Sequence, residues 1–411
     1  MTEIIFYSLI AITVADFVFD KWLDYLNDKV KSPNLPPEAE GIYDEERYSQ
    51  WLAYDKANSR LGVLSSSISI VLSLFMLVSG GFGWLDGAMR QYVEHPILLA
   101  LAYFALLGLA SSIISLPFSI YSTFVIEEKF GFNKTTVKTF ILDMIKGAAL
   151  SAVIGAPLAA IVIWFYYELG EWFWLTAWIV ISIFTLFMTM FAASWIMPLF
   201  NKFTPLEEGE LRTAIEAYCN KVGFKLTNLF VMDGSKRSAK SNAFFSGLGP
   251  KKKIALYDTL IEQMTTEEIV AVLAHEIGHY KKKHTLQSLI LGIAQTGFML
   301  FLLGVFLRMD AFSQALGAEQ GSFHVGIIAF GIIFSPISTL IGIGMNVLSR
   351  KNEFEADAYA RDTYSGEPLA SGLRKLTAEN LSNLKPHPYY VFVNYSHPPV
   401  LQRLGRLVTV N

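Results

Sequence analysis

Two histidines and a glutamate stand close together in a segment with helical periodicity. His275 and His279 are four residues apart and Glu276 follows the first of them, in the pattern H-E-x-x-H. Residues four apart share one face of an α-helix, so both imidazoles can bind one metal ion. A carboxylate beside the first ligand can take a proton from a water that the metal activates. This donor set suits a catalytic Zn²⁺, although the bare motif also arises by chance.

The segment before the motif has the features of a helix start. Thr265 to Glu268 has the pattern of a capping box. Ile269, Val272 and Leu273 then give the following turns an apolar face. The sequence therefore predicts that the two histidines lie on an amphipathic helix.

A group of carboxylates follows 74 residues after His279, at Glu353, Glu355 and Asp357. Glu353 and Asp357 are four apart on one face of a predicted helix, so one can bind the metal while the other orients a ligand histidine. We predict Glu353 as the third metal ligand and Asp357 as the orienting group. Glu355 points to another face, where a solvated surface carboxylate is expected.

The composition excludes an ordinary soluble enzyme. Of the 411 residues, 53% are hydrophobic and only 17% are charged, which is typical of a multi-pass membrane protein. A net charge of −3 without a basic and aromatic patch gives no indication of a nucleic-acid partner. The single cysteine, Cys219, excludes an intrachain disulfide, and we expect it to be a small buried residue.

Seven apolar segments predict seven transmembrane helices. The first is short and contains Asp16, and a cleaved signal peptide is the rival interpretation, but no basic residue precedes it and no clear cleavage site follows it. The predicted spans are Ile4–Phe19, Leu61–Val78, Ile97–Ile126, Gly147–Tyr167, Trp172–Phe200, Leu286–Leu307 and Val325–Leu348.

The numbers of basic residues between these spans alternate. Lys plus Arg count 0 before the first span and 6, 1, 4, 0, 13 and 1 in the successive loops. Because cytoplasmic loops carry the excess of Lys and Arg, this alternation places the N-terminus outside and both the large loop 201–285 and the tail in the cytosol. A cleaved signal peptide would break the alternation, which favours seven spans.

The domain organisation follows from these segments. Residues 1–200 contain spans one to five, and 286–348 contain spans six and seven. Residues 201–285 are predicted to form a cytosolic α+β metalloprotease domain, whose C-terminal part is 349–411 with the third ligand. Within the large loop we predict one helix and three strands, at Glu207–Val222, Leu229–Met232, Asn242–Ser246 and Lys253–Tyr257.

The two halves of the predicted metal site flank the last two spans. The H-E-x-x-H helix is expected to run straight into span six, and the Glu353 helix to continue straight out of span seven. At 1.5 Å per helical residue, His279 lies ~10 Å and Glu353 ~7.5 Å from the hydrocarbon. An accidental motif would not place its ligands at one depth on one side, so the arrangement favours a zinc site.

The chain resembles the zinc-dependent CAAX prenyl endopeptidases, which are seven-span integral membrane gluzincins. The resemblance covers nearly the whole chain. It implies that the spans enclose a large hydrated chamber and that the protein cleaves the C-terminal tripeptide from farnesylated or geranylgeranylated proteins. The motifs that carry it are His275–His279, Glu353–Ala358, Glu127–Lys134, Arg237–Phe245 and Ser396–Pro399 with Arg403.

Other site residues follow partly from this resemblance. His397 is the first candidate to stabilise the oxyanion, with a loop histidine before a diproline turn as the alternative. Arg403 is expected to orient Asp357 or bind substrate, with a surface arginine as the alternative. Asn242 can hold a substrate carbonyl if its strand is a sheet edge to which substrate adds; an asparagine satisfied within a turn is the alternative.

The remaining histidines are expected to have no role in catalysis. His95 and His387 precede prolines in loops, and His324 marks the end of a span. His284 follows the basic run Lys281–Lys283, which is expected to face anionic headgroups.

The length of the chain bears on its source and substrate. It is shorter than eukaryotic members tend to be and shows no retrieval signal for the endoplasmic reticulum at Thr409–Asn411. This favours a bacterial homologue in an inner membrane over a protein of the endoplasmic reticulum or nuclear envelope. Because bacteria generally lack prenylation, a quality-control protease for misfolded or stalled proteins is the alternative function.

A non-catalytic seven-span receptor or transporter with a structural metal is a weaker alternative. A structural zinc usually has a fourth protein ligand, and no cysteine or extra histidine near the motif is expected to provide one. The expected partners are peptide or protein substrates and the lipid bilayer.

Overall fold

The computed structural model describes residues 1–226, 228–246 and 253–408. The C-terminal tripeptide Thr409–Asn411 therefore lies outside the described residues. Within them the chain is mainly helical and contains one four-stranded sheet.

Long apolar helices make up the N-terminal half. A π-helical segment at Ser122–Glu127 extends α4 (Pro96–Tyr121). A second one, at Ser151–Gly155, joins α5 (Val137–Leu150) to α6 (Ala156–Leu169). Asp44 caps α2 (Glu45–Val78) by accepting a hydrogen bond from the Arg47 amide, so the polar residues before the predicted second span and the span itself form one continuous helix. The helices are α1 (Thr2–Lys29), α2 (Glu45–Val78), α3 (Gly81–Arg90), α4 (Pro96–Tyr121), α5 (Val137–Leu150), α6 (Ala156–Leu169), α7 (Phe173–Trp195) and α8 (Met197–Phe200).

Six helical segments in the described part of the chain are long and apolar enough to cross a membrane. One of them, Val137–Phe200, has 64 residues, far more than the ~20 that cross a bilayer once. It is interrupted at Gly170, which has a φ of 50°, and one predicted span lies on each side of this glycine. The chain is a multi-pass membrane protein, while the count of seven spans and the enclosed chamber stay predictions.

The sheet follows the last of these N-terminal helices. Its strands are ordered β1-β2-β4-β3, with β2 and β4 parallel and the outer pairs antiparallel. Two predicted strands have the observed bounds, and the third begins at Ala243, so that Asn242 directly precedes it. The elements are β1 (Phe203–Pro205), α9 (Glu210–Lys221), β2 (Leu229–Met232), β3 (Ala243–Ser246) and β4 (Lys253–Tyr257).

Of the remaining helices, two contain the last two predicted spans. The predicted continuity is confirmed for α14, which joins span seven to the Glu353 segment in 41 residues. It is wrong for α11 and α12, because Lys283 adopts a left-handed conformation with φ 62° between them. They are α10 (Asp258–Gln263), α11 (Thr266–Lys281), α12 (His284–Phe306), α13 (Ala311–Ala315), α14 (Phe323–Thr363), α15 (Gly366–Glu379), α16 (Pro388–Asn394) and α17 (Val400–Val408).

The core of the sheet domain surrounds α11. Leu273 and Ile277 on this helix are at most 2% exposed, and they belong to one apolar cluster with Leu256 of β4 and Ile215 of α9. Cys219 is buried in the same cluster, as predicted, and its burial raises the pKa of the thiol to about 11. One face of α11 is thus fixed by the core, which leaves its other face free to carry the motif.

Candidate metal centre

The start of α11 is held by the predicted capping box. The Thr265 amide donates to Glu268 Oε2 at 2.9 Å, and the Glu268 amide donates to Thr265 Oγ1 at 3.4 Å. The Glu268 carboxylate also accepts hydrogen bonds from Ser371 Oγ and Lys375 Nζ on α15. Burial raises the pKa of Glu268, but these hydrogen bonds outweigh it and hold the pKa below its usual value. The start of α11 is therefore fixed to α15.

Small residues allow α11 and α14 to approach closely. Gly278 lies within the H-E-x-x-H motif, and a Cβ added to it would lie 3.1 Å from Ala356 Cα and 3.2 Å from Tyr359 Cβ. These distances are shorter than ordinary van der Waals contacts between carbon atoms. A side chain at Gly278 would push the helices apart, so this glycine lets the ligand-bearing faces of the two helices meet.

His275, His279 and Glu353 converge on one point. The two Nε2 atoms are 3.1 Å apart, and the Glu353 carboxylate lies 3.2 Å from His279 Nε2 and 3.4 Å from His275 Nε2. One ligand atom from each residue lies within 4.8 Å of the others. Among the described residues no other group of three His, Cys, Asp or Glu side chains converges in this way.

The chemistry of this donor set fits a divalent metal ion. Glu353 is 4% exposed, and its Oε2 lies 3.4 Å from His275 Nε2 and 3.5 Å from Arg403 Nη1, with no hydrogen bond of good geometry from a described residue. A buried carboxylate oxygen without such a hydrogen bond is costly, and a cation between the three ligand atoms would stabilise it. Two imidazoles and one carboxylate are also a donor set of catalytic zinc sites.

A buried ion pair holds the outer nitrogen of His275. Its Nδ1 lies 2.9 Å from Asp357 Oδ1, and Arg403 donates two hydrogen bonds of 2.6 and 2.8 Å to the same carboxylate. Asp357 is 1% and Arg403 9% exposed. The structure thus places Asp357 beside His275, as the sequence predicted, and Arg403 is buried against Asp357 and is not a surface arginine.

The surroundings of His275 also affect its protonation. Burial lowers the pKa of the imidazole, but its contacts with the Asp357 and Glu353 carboxylates outweigh burial and raise the pKa to about 9. Because a histidine that binds a metal ion must be neutral, metal binding competes with this protonation.

A cleft of about 370 Å³ opens on the three converging side chains. Glu276 and His397 both line it. His397 Nε2 lies 3.3 Å from Glu353 Oε1, and the side chain is 64% exposed, so it is accessible to a molecule in the cleft. Much of the remaining lining is apolar and consists of Leu260, Val272, Leu369, Leu373 and Leu376.

Asn242 lines the same cleft at the edge of the sheet. Its carbonyl accepts a hydrogen bond from the Tyr257 amide at 3.2 Å, which continues the pairing of β3 with β4. No described strand pairs with the outer side of β3. This is the edge that the predicted addition of a substrate strand requires.

Sequence reasoning missed His284. It was expected to lie with the exposed lysines before it, but it is 4% exposed, and its Nδ1 is 3.1 Å from His279 Nδ1. Its Nε2 is 3.3 Å from Glu355 Oε2, whose side chain is 40% exposed, so Glu355 is a solvent-accessible carboxylate that also contacts His284. On an uninterrupted helix, five residues rotate a side chain by about 140° from its starting face. The left-handed conformation of Lys283 interrupts the helix, so that His284 nevertheless lies beside His279. The helical periodicity of the sequence cannot predict this interruption.

His324 is also part of a buried cluster that was not expected. Its Nε2 lies 2.6 Å from Asp86 Oδ1, and both side chains are about 1% exposed. Asp86 also accepts hydrogen bonds from Arg90 Nε at 2.9 Å and Ser322 Oγ at 3.2 Å. The residue does mark the start of α14, but it also joins that helix to α3.

Two family models match successive parts of the chain. Residues 25–202 match the model described as the CAAX prenyl protease N-terminal region with five membrane helices. Residues 205–410 match peptidase family M48. Together they account for both the membrane helices and the region that contains the candidate metal centre.

Individual proteins are similar over nearly their full length. A CAAX prenyl protease 1 homolog of Arabidopsis thaliana is 37% identical over 97% of this chain and 96% of its own length. CAAX prenyl protease 1 of Saccharomyces cerevisiae is 34% identical over 96% of this chain and 93% of its own length. The crystal structure of S. mikatae Ste24p superposes on this structure with a TM-score of 0.93. The sequence identity is 32%, and the match covers 98% of this chain and 99% of the Ste24p chain.

Proposed function

This chain belongs to peptidase family M48 and is a multi-pass membrane metalloprotease, and we propose that it cleaves peptide bonds near the C-terminus of prenylated CAAX-type proteins. The single observation that carries the proposal is the convergence of His275, His279 and Glu353 beside a cleft that also contains Glu276. The names and 31–37% identity of the relatives support the choice of substrate. Membership of a peptidase family leaves no support for a non-catalytic receptor or transporter.

We propose Zn²⁺ as the metal, held by His275, His279 and Glu353. When bound, the ion would polarise the scissile carbonyl and lower the pKa of the attacking water. Glu276 is the base that takes a proton from this water, and it later donates that proton to the leaving amine. His397 donates a hydrogen bond to the carbonyl oxygen as negative charge develops there.

The other cleft residues position the reactants. Asp357 and Arg403 hold the outer nitrogen of His275, so that its Nε2 stays directed at the metal. A substrate in extended conformation adds to the free side of β3, and Asn242 binds one of its carbonyl groups. The leucines and valine of the cleft accept aliphatic side chains of the substrate.

Incubation of the purified protein with a farnesylated CAAX peptide tests this function. We expect release of the C-terminal tripeptide, loss of activity with a chelator, and recovery when zinc is added. The same peptide without the farnesyl group and an unfolded membrane protein serve as comparison substrates. Preferential cleavage of the unfolded protein would replace the CAAX proposal by the quality-control function.

We further propose that the N-terminus lies outside and that residues 201–285 and 349–411 form one cytosolic protease domain. The compartment stays a prediction: the sequence favours a bacterial inner membrane, and the relatives named above come from eukaryotes. In a Cys219→Ala background, a cysteine at Thr2 should react with an impermeant thiol reagent on intact cells. A cysteine at Ser235 should react only after permeabilisation. If the residue-2 cysteine is protected and the Ser235 cysteine stays cytosolic, the first segment does not span.

A further inference from the structure

His284 is a buried histidine that the proposed mechanism does not use. It begins α12, directly after the left-handed Lys283. Its ring centroid lies 5.1 Å from that of His279, with the planes at 75°. One nitrogen contacts His279 Nδ1 at 3.1 Å, and the other contacts Glu355 Oε2 at 3.3 Å. Both ring nitrogens of the buried His284 side chain thus contact a group that can form a hydrogen bond with them.

The proton positions along these contacts follow from metal ligation. A neutral histidine that binds a metal through Nε2 carries its proton on Nδ1. His279 Nδ1 therefore donates a hydrogen bond, and His284 Nδ1 must accept it. His284 then carries its own proton on Nε2 and donates it to Glu355. A single assignment of protons satisfies every atom in the series.

The other ligand histidine has an outer partner of a different kind. His275 Nδ1 contacts Asp357, whose carboxylate is neutralised by the buried Arg403. His279 instead contacts a neutral imidazole, and the carboxylate behind it is 40% exposed. Both histidines are therefore held in part by α14, but the second element is α17 for His275 and α12 for His279.

We infer that His284 is a positioning residue of the metal centre. It holds the ring of His279 in one orientation and one tautomer, and Glu355 does the same for His284. The inference rests on the proposed function only in taking His279 as a metal ligand. The turn at Lys283 serves this contact, because it returns the chain so that His284 lies beside the ligand that precedes it by five residues.

Zinc affinity of the purified protein tests the inference, because this measurement needs no substrate. Competition with a chelator of known affinity should show a 10- to 100-fold loss for His284→Leu, which is the usual effect of removing the outer partner of a ligand histidine. His284→Asn places an acceptor oxygen near the position of Nδ1 and should recover most of the affinity. The exposed loop histidine gives the matched control, since His95→Leu should bind zinc as the unaltered protein does.

The outcomes separate this inference from the proposed function. Unchanged zinc affinity in folded His284→Leu overturns it, and so do equal losses for His284→Leu and His284→Asn. If His284→Leu fails to fold, Glu355→Leu provides the same test, with a loss of up to about 10-fold expected and an unchanged affinity contradicting the inference. If the unaltered protein binds no zinc, the proposed metal site itself is wrong.

Discussion

Helix α14 carries a buried histidine–carboxylate cluster near each of its ends. His324 pairs with Asp86 near the first end, and Glu353 meets His275 near the other. The two positions on α14 are 29 residues apart, or about 43 Å at 1.5 Å per residue. Among the described residues, only the Glu353 cluster brings three ligand atoms together.

The cluster at His324 and the cluster at Glu353 differ in the partners of their polar atoms. Asp86 has its charge balanced by Arg90, and its hydrogen bonds come from Ser322 and His324. His324 Nδ1 makes no hydrogen bond with a described residue, but His324 belongs to no group of three converging ligand side chains. The Glu353 carboxylate instead lies at a cleft, together with His275 and His279. A histidine beside an acid is therefore not enough for a candidate metal site, which requires several ligand atoms that converge at an accessible cleft.

Removal of a ligand should have the largest effect and distinguishes the two clusters directly. We expect His275→Ala, His279→Ala and Glu353→Ala to lose most of the zinc, which should be close to one ion per chain in the unaltered protein, and with it the peptidase activity. His324→Ala should keep the zinc, because His324 belongs to no group of three converging ligand side chains among the described residues. Elemental analysis of the purified variants measures this. Full zinc in Glu353→Ala would assign the third ligand to another residue.

Replacement of the proposed general base, Glu276, should have the second-largest effect. Glu276→Gln preserves the shape of the side chain but cannot accept the proton, so activity should fall by at least ~10²-fold. Zinc content and thermal stability should stay normal, which separates this residue from the ligands beside it. Peptide hydrolysis at saturating substrate is the measurement. Turnover equal to that of the unaltered protein would refute the mechanism.

Arg403 and Arg90 each neutralise a buried aspartate. Substitutions at these two positions form a matched pair, for which a smaller effect on zinc binding is expected. Arg403→Lys replaces a two-point contact with Asp357 by a single one. We expect zinc affinity to fall about 10-fold, the lower end of the range for outer-sphere changes. Arg90→Lys should leave zinc affinity unchanged, because Asp86 touches no metal ligand. A similar loss in both variants would show that the clusters are coupled.

The smallest expected effect is at the edge of the cleft. Asn242→Ala removes one hydrogen bond to substrate, worth about 1 kcal/mol or a factor of about 5. The change should appear in KM and leave zinc affinity intact. Steady-state kinetics with the farnesylated peptide measures this. A loss of zinc in Asn242→Ala would mean that this residue belongs to the metal centre and not to the substrate cleft.

Local spacing was sufficient to predict which side chains converge at the candidate metal centre. His275 and His279 share a helical face by their separation of four, and so do Glu353 and Asp357. The capping box that begins α11 and the bounds of β2 and β4 also follow from patterns within a few residues. Such features depend on short-range geometry, which the order of residues specifies directly.

Contacts between distant residues could not be predicted in the same way. His324 and Asp86 are 238 residues apart, and Ser335 Oγ donates to Asp16 Oδ2 across a separation of 319 residues. Asp16 weakened the case for the first span, yet its carboxylate is satisfied by another helix. No periodicity relates such positions, because helix packing alone decides which of them meet.

The unbroken course of α14 limits how its length can change. One residue inserted between His324 and Glu353 would rotate everything beyond it by about 100° and advance it by about 1.5 Å. Glu353 would then turn away from His275 while His324 kept its place. Four inserted residues nearly restore the direction but displace the carboxylate by about 6 Å. Residues along this helix can therefore be replaced more easily than its length can be changed.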